Sequence, residues 1–344
     1  MSSVHGGINQ FQLEGRSDYL DLSVNLNPYG PQAIPQLSTE EIATYPDPTS
    51  TVLRKTIAQN YGVTADHVVV GNGATEILWA SARAFLEPGD TALIVQPGFS
   101  EFGAAVQKTG HRIIDFKVTE RDNFILSTEA LDQKLSSLKP KVLSFSNPNS
   151  PTGGYIEPTV ISCLADLHPD CIFLLDESFL SLSHHHQKMG VQYPPNVLRV
   201  VSLTKDYAIA GIRLGFALGE ASLMQRIASQ IPPWNVNVMA QKVGEGLYED
   251  KKFLERSRDF IFRDKVWLEA QFDIRRIRRL QSATVFIMFK EDTPLFVERL
   301  FHEHKIFIRS CASYGFADWY RIAVRPRTDM HRFFNAYDLI KGLA

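Results

Sequence analysis

Between His67 and Leu218, short apolar runs alternate with helical segments and turn signals. The runs are His67–Val70, Thr91–Val95, Arg112–Val118, Val142–Ser146, Ile172–Leu175, Val200–Leu203 and Gly215–Leu218. Most carry no polar face. A strand without a polar face has to be covered on both sides, which predicts a mostly parallel sheet flanked by helices. The intervening stretches fit that layout: Thr75–Phe85 and Glu101–Gly110 read as helices, and Glu87-Pro88-Gly89-Asp90 as a stop.

The flanks read differently. Residues 1–37 are rich in Gly, Asn and Pro and form an expected arm that belongs to a small domain. Residues 38–250 are expected to form the large domain. Residues 251–344 are expected to form the rest of a small α+β domain, with strands at Thr284–Phe289, Ile306–Ile308 and Tyr320–Val324 and a helix over Thr293–His304. A chain of 344 residues exceeds what one core usually supports, in keeping with two lobes. A formal charge of −2 gives no broad basic surface for nucleic acid or anionic membrane. Three cysteines without CxxC spacing fit a reduced, cytoplasmic protein, and neither a leader nor a membrane span is expected.

Several segments carry groups suited to chemistry. Lys205 follows a strand in Ser202-Leu203-Thr204-Lys205, and Arg213 lies eight residues on. A desolvated lysine can form a Schiff base, and an arginine fork suits a phosphate dianion. Taken alone, such a lysine reads as a solvated loop residue. Asp176 ends a buried strand, where a carboxylate is costly unless paired. A pyridinium nitrogen is one such partner; capping of the next element is the blander alternative. Gly71-Asn72-Gly73-Ala74-Thr75 runs from strand into helix, where free amides can hold a phosphate. The third glycine of a dinucleotide fingerprint is missing. Phe99 can stack on a flat ring or belong to the core. Arg309, Arg321 and Arg325 can bind carboxylate or phosphate, or be surface residues. His184-His185-His186 cannot all face one ion, so an exposed loop and no metal are expected.

The order of these motifs is what resembles a known family. Tyr45-Pro46, Gly71-Asn72-Gly73, Pro97-Gly98-Phe99, Asn147-Pro148…Pro151-Thr152-Gly153, Asp176-Glu177, Ser202–Lys205, Gly211–Gly215 and Tyr320–Ala323 follow one another as in the class I/II aminotransferase superfamily of fold type I. The branch shared by histidinol-phosphate aminotransferases and threonine-phosphate decarboxylases fits best. His5-Gly6-Gly7 with Leu22–Pro28 after it, Pro233–Asn237 and the Ile308–Arg325 segment point to the decarboxylases of cobalamin assembly.

The resemblance implies a large domain with a seven-stranded sheet and pyridoxal 5'-phosphate (PLP) as cofactor. Lys205 would hold it as a Schiff base, with Asp176 on the ring nitrogen and Phe99 stacked on the ring. Gly73, Ala74, Thr75, Ser202, Thr204 and Arg213 would hold its phosphate, and Tyr45 would reach that phosphate from the other subunit of a homodimer. Ser3, His5, Gly6, Asn25, Asn149, Arg309 and Arg321 would bind a small phosphorylated amino acid. The implied reaction is decarboxylation of O-phospho-L-threonine to (R)-1-amino-2-propanol O-phosphate. Transamination of histidinol phosphate, elimination or cyclisation of an amino acid, and a non-catalytic binding module are the alternatives.

Two positions depart from the family pattern. Ser150 stands where an asparagine usually donates to the ring hydroxyl, and it is expected to reach that oxygen only through water. Phe179 stands where aminotransferases often have tyrosine. Both changes predict a shifted proton affinity at the cofactor linkage.

Overall fold

The computed structural model describes residues 18–31 and 34–343; Ser3, His5 and Gly6 lie outside the described residues. Twelve strands are described. In chain order they are β1 (Leu20–Asp21), β2 (Val68–Asn72), β3 (Thr91–Gln96), β4 (Arg112–Lys117), β5 (Val142–Ser146), β6 (Ile172–Asp176), β7 (Val197–Ser202), β8 (Leu214–Leu218), β9 (Phe286–Lys290), β10 (Ile306–Phe307), β11 (Arg309–Ser310) and β12 (Trp319–Ala323).

Seven of them form one sheet in the order β2-β8-β7-β6-β5-β3-β4. Only β8 runs against its neighbours. The other six point the same way, so their carboxyl ends share one edge. All five residues of β5 and of β8, and all six of β7, are buried. Their burial explains why the apolar runs show no alternation. One face packs on Ala74–Phe85, Glu101–Lys108 and Ala221–Ala228, and the other on Thr128–Leu138 and Pro158–Leu167. The sheet is thus a layer between helices, as expected.

A second core lies beside it. The antiparallel sheet β11-β12-β9 packs with helices Phe253–Ile274, Phe296–His304 and Arg327–Lys341. Leu22, next to β1, is fully buried in that core, and β1 pairs in parallel with β10. Segments 286 residues apart in sequence therefore meet there.

Local chemistry moves some boundaries. The apolar run Val200–Leu203 predicts one strand, but the strand ends at Ser202. Leu203 begins the one-turn helix Leu203–Asp206, so Lys205 sits on a helical turn. Leu203 is buried either way, so its apolar character does not distinguish the two. The strand expected from Thr284 begins at Phe286; the Thr284 backbone amide donates to Ser282 Oγ rather than to a strand partner. The helix expected from Thr293 begins at Phe296: Thr293 is held by the Glu291 carboxylate, and Leu295 takes a left-handed φ of 56°. The stretch after Pro233 is two helices, Val238–Gly246 and Phe253–Ile274. The three histidines lie in a loop and the start of a 3-10 turn. The His184 ring stacks on Phe262 and that of His185 on Tyr155.

Candidate active site

The shared carboxyl edge of the parallel strands borders a cavity of about 340 Å3. Loops leaving such an edge are where open α/β sheets place ligands. β6 delivers Asp176, β7 leads into Lys205, β2 leads into Ala74, and the loop after β3 brings Phe99. From the neighbouring layer come Arg309 and Arg321, on adjacent strands in register with each other. Among the described residues, four basic side chains, Lys205, Arg213, Arg309 and Arg321, face this cavity with one carboxylate, Asp176.

One end of the cavity is shaped for an oxyanion. Gly73 has φ +80°, which turns the chain into the helix starting at Ala74. A Cβ on Gly73 would lie 2.5 Å from Arg213 Nη2, so the missing side chain is the space the guanidinium uses. A Cβ on Gly215 would lie 2.5 Å from the Ala74 amide nitrogen, so glycine there lets the helix start seat on β8. The Ser202 and Thr204 hydroxyls meet at 2.6 Å, and Lys205 Nζ reaches Thr204 Oγ1 at 3.5 Å. First-turn amides, two hydroxyls and a guanidinium together make a dianion cradle.

The centre holds an opposed pair. Burial drives the Asp176 carboxyl up; the Ser178 amide, donating to Oδ1 at 2.9 Å, and Lys205 oppose it. Burial drives the Lys205 amine down, while Asp176 opposes that and Arg213 and Arg321 add to it. A lysine so placed gives up its proton more easily than a surface lysine and becomes a better nucleophile. A cation bound against the Asp176 carboxylate would offset the cost of burying it.

The other end is built around Arg321, which is buried. Its Nη1 donates to Ser150 Oγ at 2.8 Å and its Nη2 to the Ser23 carbonyl at 2.7 Å. With the Asn25 amide turned so that its oxygen faces the guanidinium, Asn25 Oδ1 accepts from Nη1 at 3.0 Å and Nε at 3.2 Å. All these acceptors are neutral. A buried cation fixed by neutral acceptors is poised for an anionic ligand. Arg309 lies beside it, donating to Ser313 Oγ at 2.9 Å and sitting 5.5 Å from the Tyr314 ring centroid. Where the family pattern has an asparagine on the ring oxygen, Ser150 is expected to reach it only through water; in the structure its hydroxyl accepts from Arg321 Nη1.

The structure thus brings together Asn25, Ala74, Thr75, Phe99, Ser150, Asp176, Phe179, Ser202, Thr204, Lys205, Arg213, Arg309 and Arg321, with Gly73 behind Arg213. Of the remaining candidates, Asn149 lines an adjoining cavity of about 550 Å3, where its amide ties loops together through the Pro97 carbonyl and Thr152. Tyr45, expected from the other subunit, lies on the surface of its own, 83% exposed and packed on Trp234. Ser23 and Tyr314 also line the site, although neither is a candidate from the sequence. Both stand in motifs that carry the resemblance, Leu22–Pro28 and Ile308–Tyr314, which is the available signal.

The sequence matches the family model described as aminotransferase class I and II over residues 17–336. The chain belongs to this family. The cofactor of that family, and so of this chain, is pyridoxal 5'-phosphate. Family members of several activities are similar to it. The Salmonella typhimurium threonine-phosphate decarboxylase is 29% identical over 94% of this chain and 92% of its own. The Symbiobacterium thermophilum histidinol-phosphate aminotransferase is 26% identical over 95% and 92%. The adenosylcobalamin biosynthesis bifunctional protein CobDQ of Leptospira interrogans is 29% identical over 98% of this chain, which spans 41% of that protein. Among solved structures, the histidinol-phosphate aminotransferase of Sinorhizobium meliloti in complex with pyridoxal 5'-phosphate superposes with a TM-score of 0.87. It is 20% identical and covers 98% of this chain and 96% of that one. A likeness at that identity carries the fold.

The residues present fit the cofactor. It has a phosphate, an aldehyde and a basic ring nitrogen. The cavity offers a dianion cradle, a lysine of lowered proton affinity and a buried carboxyl that needs a cation.

Proposed function

We propose that this protein is a PLP-dependent decarboxylase of O-phospho-L-threonine, releasing CO2 and (R)-1-amino-2-propanol O-phosphate. The observation that carries the reading is the buried Arg321 beside Arg309, a second anion site beyond the cofactor's own cradle. The similarity to threonine-phosphate decarboxylases supports the substrate class.

Lys205 would bond the cofactor covalently, Asp176 would hold a proton on its ring nitrogen, and Phe99 would lie against the ring. Gly73, Ala74, Thr75, Ser202, Thr204 and Arg213 would hold its phosphate. Phe179 offers the ring oxygen no hydroxyl. When bound, the cofactor supplies an acceptor for the electron pair left by a bond broken at Cα. Arg309 and Arg321 take the substrate phosphate, with Asn25, and with Ser3, His5 and Gly6 of the arm, completing that site. Holding the phosphate there fixes the orientation of Cα, which selects the bond that breaks. Lys205 Nζ then gives a proton to the carbon that lost CO2. A homodimer with Tyr45 contributed in trans and a cytoplasmic location belong to this proposal. Among the described residues, no helix is long and apolar enough to cross a membrane.

Transamination of histidinol phosphate is the second reading, favoured by the relatives of that activity. Incubating the PLP-loaded protein with O-phospho-L-threonine, with and without 2-oxoglutarate, separates the two. Decarboxylation gives CO2 and amine without the keto acid. Keto-acid-dependent consumption of histidinol phosphate with no CO2 from phosphothreonine overturns the proposal.

A further inference from the structure

The one-turn helix Leu203–Asp206 carries two titratable side chains in succession, and only one serves the cavity. Lys205 lines it. Asp206 does not, and is 2% exposed. The backbone beneath both is pinned from outside the helix. The Asn27 backbone amide donates to the Lys205 carbonyl at 2.9 Å. The Asn27 side-chain Nδ2 donates to the Asp206 carbonyl at 2.8 Å and to Ser257 Oγ at 2.9 Å. The lysine turn, the N-terminal arm and the long helix Phe253–Ile274 are therefore one hydrogen-bonded unit.

The Asp206 carboxyl has weaker support: the Ser181 hydroxyl beside it only partly opposes the effect of burial. Neither its Oδ1 nor the buried Ser181 Oγ makes an aligned hydrogen bond among the described residues. The charged groups near it are Lys205, on its own turn, and Arg258, from the long helix, whose Nη1 is spent on the Ser181 carbonyl at 3.0 Å. Tyr61, Tyr207 and Tyr248 also face it, and burial pushes all three phenols up, so they stay neutral. A buried carboxyl with no hydrogen-bonded cation is costly, and nothing in the proposed chemistry uses it.

We infer that Asp206 is a positioning residue for Lys205, setting from behind how tightly the amine holds its proton. Two acids act on Lys205, Asp176 and Asp206. Asp176 is the one that faces the cofactor ring, so its charge is offset when the cofactor is bound. Asp206 then remains as the acid that favours the protonated lysine nitrogen. Burial pushes the Asp206 carboxyl up to about 7, so its charge changes in the neutral range. Above that pH it raises the proton affinity of Lys205, and below it the support is withdrawn.

The inference rests on Lys205 carrying the cofactor, so the test begins with K205A. Loss of the lysine-linked absorbance band in K205A upholds that premise, and retention of the band refutes it, independently of Asp206. In the PLP-loaded protein, D206N removes the ionisable group while keeping its shape. The midpoint of the cofactor absorbance titration is expected to fall by about half to one pH unit, a three- to tenfold loss of proton affinity. The acidic limb of kcat/KM against pH should move with it. R258Q keeps the carboxyl but removes its cation, so the Asp206-linked step should shift to higher pH. An absorbance midpoint in folded D206N identical to the parent's, or a step that R258Q does not move, overturns the inference.

Discussion

Replacing Gly73 by alanine measures what the Arg213 cradle contributes to cofactor binding. The new Cβ would lie 2.5 Å from Arg213 Nη2 and 3.2 Å from its Cζ, distances no side chain tolerates without displacement. The backbone is also unfavourable for alanine, at φ +80° and ψ 159°. Such a conformation costs a non-glycine residue of order 1–3 kcal/mol. Moving the guanidinium loses a hydrogen bond to a charged group, worth about 1.5–3 kcal/mol. The second amount weakens PLP binding by roughly tenfold to more than a hundredfold. G62A is the control. Gly62 has φ +67° with no atom within 4 Å of the added Cβ, so it carries backbone strain alone. Equilibrium titration of cofactor-stripped protein with PLP, followed by absorbance, reads the affinity, and thermal melting reads the strain. G73A is expected to lose both, and G62A stability only. If G73A binds PLP within about threefold of the parent, well short of the worked loss, Arg213 does not hold the cofactor phosphate.

Two further outcomes follow from buried groups. S150A removes one of the neutral acceptors that orient Arg321, a loss of about 1 kcal/mol. KM for the anionic substrate should rise roughly fivefold with kcat little changed; a fall in kcat at constant KM would contradict an orienting role. D206N should also change stability with pH. The folded-state carboxyl of Asp206, at about 7, lies above its ordinary value of 3.8, so the folded protein binds the proton more tightly than the unfolded chain. Stability therefore falls as pH rises from about 4 through 7, and the cost is fully present above that window. D206N should melt higher than the parent at pH 8 and gain nothing at pH 4; an equal gain at both would show that its effect is not linked to protons.

The sheet is readable because burial on both faces leaves continuous apolar runs, and six of the seven strands lie within a residue or two of their expected bounds. The seventh, β7, begins at Val197, three residues before the expected start, because Arg199 interrupts the run. Arg199 is buried there through its ion pair with Glu177 at 2.7 Å, which no local pattern announces. Helices Thr128–Leu138, Pro158–Leu167 and Ala221–Ala228 are not among the expected elements, since short helices between strands depend on the sheet surface they cover. The cofactor end of the site is legible because its residues sit in contiguous motifs. The Arg321 end is not: Ser150 is 171 residues from it and Ser23 is 298, so their contacts exist only after folding. Asp206 gives no signal beside Lys205, because a lone acid on a turn reads as solvated.

The pairing of β1 with β10 has a consequence for how the polypeptide is made. Leu20 emerges from the ribosome long before its partner Ile306 exists. The seven-stranded sheet ends at Leu218 and can close first. The arm, with Asn27 and two of the acceptors for Arg321, Ser23 and Asn25, waits until Ile306 and Arg321 have been synthesised. Contacts of such long sequence separation form late. The cofactor cradle is encoded in the part that assembles early, and the anion clamp in the part that assembles last. A ribosome-bound or truncated product lacking the final strands would hold the cradle residues without Arg309 and Arg321.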